Sequence, residues 1–390
     1  MAKNTAPEGF EYYYNPITGK IILRPIKGFS KEYLSEETFV PKREEVETAE
    51  TTENRGGNAN LSTARNVKND EFYTRIEDIV SELKHYKDAF KDKVVYCPCD
   101  KVFNLGRSEF FNYFANRFHQ LGLKKLICTQ YNPNGHGYKK EVSYSENGIK
   151  WEYNGEYEDG TIIDESMVDI TFLRGNGSFD SEECIELMKE SDIIVTNPPF
   201  SLFRVFIKQM IDLDKKFIVI GNMNAITYKE IFPYIKNNQL WLGYRSLGSE
   251  FYFNITDDYK TRIVKEKKEG SGWKEINGII CGRVANACWF TNIEHNKRKE
   301  GIYLSETYSE EKYPKYDNYD AIEVSRVEKI PCDYDGVMGV PISFMDKFCP
   351  AQFEILGGYN YSRDYDGHTW NAKVNGKYVF KRILIKKISA

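Results

Sequence analysis

Several absences in the chain are informative. None of its eight cysteines forms a CxxC pair, and eight in 390 residues are too sparse for a disulfide scaffold. Cys97-Pro-Cys99 is the nearest pair, with one intervening residue, which is poor zinc spacing. The five histidines (85, 119, 136, 295 and 368) are scattered without metal-site spacing, so no metal is expected. Long apolar runs are also missing. The longest, such as FIVIG at 217–221, are strand-length, which excludes a membrane span and a membrane partner. The opening AKNTAPEGFEYYY has no apolar signal-peptide core, so a reducing cytoplasm is the expected setting. No P-loop and no Ser–His–Asp arrangement is present.

A basic excess is lacking too. Lys and Arg number 54 against 58 Asp and Glu, a net −4, which argues against a surface coated in positive charge for nucleic acid. The balance is −1 over 1–65 (9 against 10), −6 over 66–234 (21 against 27) and +3 over 235–390 (24 against 21). A polyanion partner is therefore sought late in the chain. Aromatic residues are plentiful: 28 Tyr and 24 Phe leave rings available for stacking.

A length of 390 residues allows two or three domains. Residues 1–65 read as an appendage, with a hairpin over FEYYYNPITGKIILRP (10–25) and an acidic linker over 30–56. From 66 onward strands and helices alternate. Strands are expected at 94–99, 125–129, 168–173, 192–196, 217–221 and 240–244, with a polar hairpin through 135–165. Helices are expected over 108–122, from Asp180 to about 190 (Asp180 and Glu183 in capping-box spacing), over 201–213 and across YKEIFPYIKNN. The pattern predicts an α/β fold with a doubly wound, mostly parallel sheet, whose ligands bind beyond the carboxyl ends of the strands.

Asn197-Pro198-Pro199-Phe200 lies at such a strand end. Two prolines fix the backbone and remove two N–H donors, which leaves carbonyl acceptors beside the Asn197 side-chain oxygen. Acceptors so placed suit an exocyclic amino group that gains positive charge as it attacks an electrophile. Phe200 offers a ring for a planar base. The bland alternative is a turn whose prolines merely end a strand.

Around this motif the sequence resembles the EcoRI-type family of adenine-specific DNA methyltransferases. The likeness runs through KNDEFYTRIEDI (68–79), VVYCPCD (94–100), SEFFNYFA (108–115), RGNGSFDSEE (174–183) and SDIIVTNPPFSLFR (191–204), then to 357. The resemblance implies a class I S-adenosylmethionine-dependent methyltransferase sheet as the catalytic domain, 66–300, with a basic insertion around 245–282. It also implies a C-terminal DNA-recognition region at 301–390. By the same resemblance Asn197 and the Pro198 carbonyl hold the target amine and Phe200 stacks the base. Tyr73 and Thr74 close over the methionine end of S-adenosyl-L-methionine, Asp100 faces its amino group, and Ser108 opens a helix toward its carboxylate. Gly175 and Asn176 stand where related enzymes carry a GDG turn, and Phe179 packs on the cofactor's adenine. The sequence departs from the pattern in two places. CPCDKVFNLGRS replaces the usual glycine loop, and Thr129-Gln130 offers no carboxylate for the ribose.

The densest positive charge is KTRIVKEKKEGSGWK (260–274), with Lys260, Arg262, Lys265, Lys267, Lys268 and Lys274 against Glu266 and Glu269. With Gly270 and Gly272 it reads as a mobile loop gripping phosphate, or else as a solvated charged loop. The leading function is methyl transfer to N6 of an adenine flipped out of double-stranded DNA. A monomer is expected, with a cognate restriction endonuclease acting on the same site as a candidate partner. The competing readings are methylation of RNA adenine or protein glutamine, and non-catalytic DNA binding with a decayed cofactor site.

Overall fold

The structure, a computed structural model, describes residues 72–100, 109–132, 147–255 and 257–388, together with two strands of the appendage. Those strands, β1 (Phe10–Asn15) and β2 (Lys20–Pro25), pair antiparallel from Phe10↔Pro25 to Asn15↔Lys20, the expected hairpin. The acidic linker lies outside the described residues.

The chain then runs through α1 (Ile76–Leu83), β3 (Val94–Cys97), α2 (Phe110–Ala115), α3 (Phe118–Leu121), β4 (Lys125–Gln130), β5 (Ile149–Tyr153) and β6 (Asp169–Phe172). It continues with α4 (Glu182–Glu190), β7 (Ile193–Thr196), α5 (Phe203–Asp212), β8 (Lys216–Asn222), α6 (Phe232–Lys236) and β9 (Trp241–Leu242). An insertion follows, made of β10 (Tyr252–Asn254), α7 (Asp257–Glu266), β11 (Trp273–Ile276) and β12 (Ile279–Arg283), before β13 (Ala287–Thr291). The main sheet has eight strands in the order β6-β5-β4-β3-β7-β8-β13-β9. β3 pairs parallel with β4 and β7, and β7 parallel with β8. Only β5 and β13 oppose their neighbours, so six of the eight strands share one direction.

Apolar layers cover both faces of the sheet, which is why its central strands are apolar throughout rather than alternating. Ile194, Phe217 and Val219 enter one cluster, while Ile193, Val195, Ile218 and Ile220 enter the other. From β3 the sheet grows one way through β4 and the other way through β7. A crevice therefore opens at the carboxyl ends of β3 and β7.

The structure corrects several local expectations. β5 inserts antiparallel between β4 and β6, so the region read as a polar hairpin supplies a sheet strand. The helix expected over 108–122 is broken at Arg117 (φ −132°) into α2 and α3, and it ends at Gly122 (φ +63°) as expected. α6 begins only at Phe232 because Pro233, which has no N–H, falls in its first turn. Ser181, not Asp180, caps α4: its hydroxyl accepts from the Cys184 N–H at 3.3 Å. Glu183 instead accepts from the Arg174 N–H at 2.7 Å.

The basic segment is a loop only over 267–272. Residues 257–266 form α7, and 273–276 join a three-stranded sheet in the order β10-β12-β11. Ile263 is buried on α7. Gly272 has no room for a side chain, because a Cβ there would lie 2.5 Å from Cδ of Lys267. Charged residues between the packing positions mask the helical period.

The C-terminal part contributes β14 (Ile322–Glu323), β15 (Met338–Pro341), β16 (Phe353–Gly358), the hairpin β17 (Lys373–Val374) and β18 (Lys377–Tyr378), and β19 (Arg382–Lys387). Four of these strands form a sheet in the order β14-β15-β19-β16. At its centre Arg382 Nη2 meets Glu323 Oε1 at 2.6 Å, with both side chains buried. One apolar cluster runs without a break from Phe217 and Phe290 of the main sheet to Met338, Phe353 and Ile385. The C-terminal sheet thus shares the core of the main sheet. No helix among the described residues is long and apolar enough to cross a membrane.

Candidate active site

A cavity of about 260 Å³ opens at the crevice, and its wall is assembled from five separate stretches of chain. Phe72 and Tyr73 come from the segment before α1, Cys99 and Asp100 from the end of β3, and Gln130 and Tyr131 from the end of β4. Ser178 and Phe179 follow β6, and Asn197 through Phe200, with Leu202, follow β7. Asp100 is the single charged residue among these wall residues, and five of them carry aromatic rings. An acidic, aromatic-lined cavity favours a ligand that combines positive charge with a planar ring system.

Asn197 is held in one orientation. Its Nδ2 donates to the Phe72 carbonyl at 2.8 Å, which leaves Oδ1 as an acceptor. The Pro199 carbonyl is taken up by the Leu202 N–H at 2.9 Å, which removes it as a free acceptor of the motif. Phe200 opens a short 3₁₀ turn and is half-buried, packed on the same cluster as Phe72.

The segment that carries Phe72 is fixed at several points. Tyr73 exchanges both backbone hydrogen bonds with Asn254 of β10, at 3.0 and 2.9 Å. The Thr74 carbonyl accepts from the Glu109 N–H at 3.2 Å, which ties the segment to the start of α2. Thr74 is buried, and its hydroxyl oxygen has no hydrogen-bond partner among the described residues. Downstream, buried Glu82 accepts from the Tyr86 hydroxyl and from the N–H groups of Tyr244 and Arg245 at 2.6–2.8 Å. Burial raises its carboxyl above the usual range, against the lowering effect of those bonds.

Asp100 is buried, and its backbone N–H donates to the Thr129 carbonyl at 2.9 Å. Cys99 before it takes a left-handed backbone, φ +62°, a conformation that favours glycine. Burial pushes its thiol up to about 12, so it faces the cavity as a neutral group rather than a thiolate nucleophile. Ser108 lies outside the described residues.

Gly175 and Asn176 sit behind the wall rather than in it. The Gly175 carbonyl accepts from the Gly148 N–H at 2.8 Å, and Asn176 Oδ1 accepts from the Ser178 N–H at 3.0 Å. Their neighbour Gly177 (φ +75°) lets two loops meet: a Cβ on Gly148 would lie 2.5 Å from its Cα. Phe179 does reach the cavity and packs edge-on against Phe206 at 5.0 Å.

Gln130 and Tyr131 had no sequence signal beyond their place at a strand end. Gln130 Oε1 is buried without a hydrogen-bond partner among the described residues. A buried orphan acceptor at a cavity wall marks a place where a ligand donor belongs.

Lys260, Arg262 and Lys265 stand on α7, and Lys267 and Lys268 in the turn that follows it, beside the cavity. Tyr259 of this helix meets the Phe72 ring edge-on at 5.6 Å. Lys260 pairs with Asp257 at 2.8 Å, Arg262 lies over the Tyr259 ring at 4.9 Å, and the Lys267 stem packs by Gly272. Lys265 and Lys268 are exposed.

Two groups of potential metal donors occur among the described residues, each with donor atoms within 4.8 Å of one another: Cys97, Asp100 and Cys128, and the partly exposed Asp364, Asp366 and His368. Burial pushes the Cys97 and Cys128 thiols up, which keeps them protonated and poor as ligands.

The chain matches the family described as "Adenine-specific methyltransferase EcoRI" over residues 60–388. It is 42% identical over 328 residues to "Type II methyltransferase M.EcoRI" of Escherichia coli, covering 84% of this chain and 95% of that protein. Identity is 38% to "Type II methyltransferase M.MpnI" of Mycoplasma pneumoniae, covering 84% of this chain and 98% of the relative. It is 35% to "Type II methyltransferase M.MgeORF184P" of Mycoplasma genitalium, with the same coverage. No solved structure matches the chain at a significant level. With the match extending from before Phe72 to the last strand of the C-terminal sheet, the chain belongs to the EcoRI-type family of adenine-specific methyltransferases.

Proposed function

We infer that the chain is a site-specific DNA methyltransferase that moves a methyl group from S-adenosylmethionine to N6 of an adenine flipped out of double-stranded DNA. The observation that carries this reading is the orientation of Asn197, whose amide nitrogen is spent on the Phe72 carbonyl and whose oxygen is left at the cavity. Two acceptors, Asn197 Oδ1 and the Pro198 carbonyl, match the two hydrogens of an exocyclic amine. They stabilise the positive charge that grows on the nitrogen during attack. Phe200 stacks the base.

The residues present fit the cofactor. Asp100 suits its ammonium group and the orphan Gln130 Oε1 a ribose hydroxyl, while the Thr74 hydroxyl proposed for its carboxylate lies buried behind the wall, next to Tyr73. Phe179 suits its adenine. When bound, S-adenosylmethionine supplies a sulfonium methyl group, and the sulfur keeps the electron pair of the broken bond. The order of the sheet, with β13 inserted antiparallel between β8 and β9, supports a class I methyltransferase fold.

On this reading 66–300 is the catalytic domain and α7 carries the phosphate contacts of the insertion, while 301–390 recognises the sequence and 1–65 is an appendage. Monomeric action in the cytoplasm beside a cognate restriction endonuclease belongs to the same proposal.

The test is Asn197→Ala in the full chain, assayed for labelled methyl transfer into duplex DNA and for equilibrium cofactor binding. Transfer should fall by about 10²–10³-fold while cofactor affinity holds, the loss typical of removing one such polar group from the transition state. A near-native rate would reduce the motif to a structural turn.

A further inference from the structure

The C-terminal part carries a built hairpin with two largely exposed aromatic rings. β17 and β18 pair through Lys373↔Tyr378 and Val374↔Lys377 around Asn375-Gly376, both with positive φ (+49° and +78°). This is the backbone a two-residue hairpin turn requires. Its tip is held from below, because the Asp317 carboxylate accepts from the N–H groups of Asn375 and Gly376 at 3.0 and 2.7 Å. Yet Tyr378 and Phe380 are 71% and 69% exposed. A rigid support beneath solvent-facing aromatics is characteristic of a binding surface rather than a frayed loop.

Charge and placement narrow the partner. The segment 373–381, KVNGKYVFK, holds three lysines and no acidic residue. Lys373 lies over the Tyr378 ring at 5.9 Å and Lys381 over the Phe380 ring at 5.9 Å, so each ring is flanked by positive charge. Lys381 also donates to Thr227 Oγ1 at 3.2 Å, in the turn that follows β8. β8 is the immediate neighbour of β7, whose end bears Asn197. The root of the hairpin is therefore anchored at the same edge of the sheet as the cavity, one strand away.

We propose that this hairpin enters a groove of the DNA duplex beside the target adenine, with its lysines on phosphates and Tyr378 and Phe380 against the bases. A two-stranded ribbon fits a groove, and exposed rings act as wedges that unstack neighbouring base steps. The inference rests on the methyltransferase reading and adds the element that recognises and opens the site.

The experiment uses the full-length protein with Tyr378→Ala and Phe380→Ala together. Both side chains are exposed, so the melting temperature and cofactor affinity should match wild type. Methylation of a duplex substrate should fall about tenfold or more, the equivalent of removing one base–ring stack. Sequencing of methylated plasmid should show a relaxed motif, and Lys373→Ala with Lys377→Ala should lower the salt dependence of duplex affinity. A variant that methylates the same motif at the wild-type rate overturns the hairpin proposal and leaves the enzyme reading standing. A loss of activity explained by a change in sedimentation from dimer to monomer assigns the patch to a second copy and overturns it as well. A wild type that methylates no duplex at all overturns both.

Discussion

Asn197 Nδ2 donates to the main-chain carbonyl of Phe72 at 2.8 Å, a bond that spans 125 residues of sequence. The partner is a backbone oxygen, so it constrains residue 197 whatever side chain stands at 72. Replacing Asn197 by Asp would set a carboxylate oxygen against that carbonyl. Two acceptors at this distance repel, and the turn would have to open. Asn197→Asp is therefore expected to lose methyl transfer by about 10²-fold or more, even though it keeps an oxygen for the amine. The check is single-turnover methylation under saturating cofactor. Activity near wild type would mean that the Phe72 carbonyl orients nothing.

Gln130 places at the cavity wall a buried oxygen with no hydrogen-bond partner among the described residues. If it accepts from a ribose hydroxyl, Gln130→Ala should weaken binding of S-adenosylmethionine about tenfold. Gln130→Glu should restore or strengthen it, because an ionised acceptor makes the stronger bond. Calorimetry with the cofactor reads both variants without any DNA present. Equal affinity in all three proteins would assign the ribose elsewhere.

Among the basic residues of the insertion, Lys265 and Lys268 are exposed, whereas Lys260 is paired with Asp257 and the Lys267 stem is packed. The double change Lys265→Ala and Lys268→Ala should weaken binding to all duplex sequences alike and leave the methylated motif intact. For every phosphate that the variant no longer neutralises, the slope of log affinity against log salt should shrink by about 0.9. A salt titration of both proteins measures it. An unchanged slope would place α7 and the turn after it in bulk solvent.

His295 is buried, with Nε2 at 3.0 Å from the Leu242 carbonyl, and burial pulls its pKa down from 6.5 to about 4. The unfolded chain therefore takes up a proton over a range in which the folded chain does not. Stability from this group is complete above pH 6.5 and is lost as pH falls toward 4. Between pH 7 and pH 5 the loss should be about 2 kcal/mol. Asp78 and Glu82, whose carboxyls burial raises, act in the opposite direction. The comparison is therefore made with His295→Gln, in which both carboxyls remain. Urea midpoints at the two pH values should shift less in the variant than in wild type. Equal shifts would show that His295 titrates normally.

Much of the architecture is legible because it is written locally. The apolar runs that become β3, β4, β7 and β8 stand out wherever strands are covered on both faces, and their alternation with helices already implies the parallel sheet. The motif at Asn197–Phe200 is legible for the same reason, since four adjacent residues and a strand end suffice to state its chemistry. α7 escapes such a reading because Ile263 is a buried position set among charges, and local pattern alone does not separate such a helix from a charged loop.

Other features depend on groups that meet only when the chain is folded. That β5 inserts between β4 and β6, and β13 between β8 and β9, is decided by hydrogen bonding between strands distant in sequence. The cavity wall draws on five stretches of chain, so Gln130 carries no signal until its neighbours arrive. The clamp on Asn197 is a backbone carbonyl, which every residue possesses and no motif can encode. Side-chain identity and short-range periodicity settled the kind of sheet and where on it chemistry would occur. Which acceptor is left free at Asn197 was settled by a single long-range hydrogen bond, because only the folded chain brings Phe72 within 2.8 Å of it.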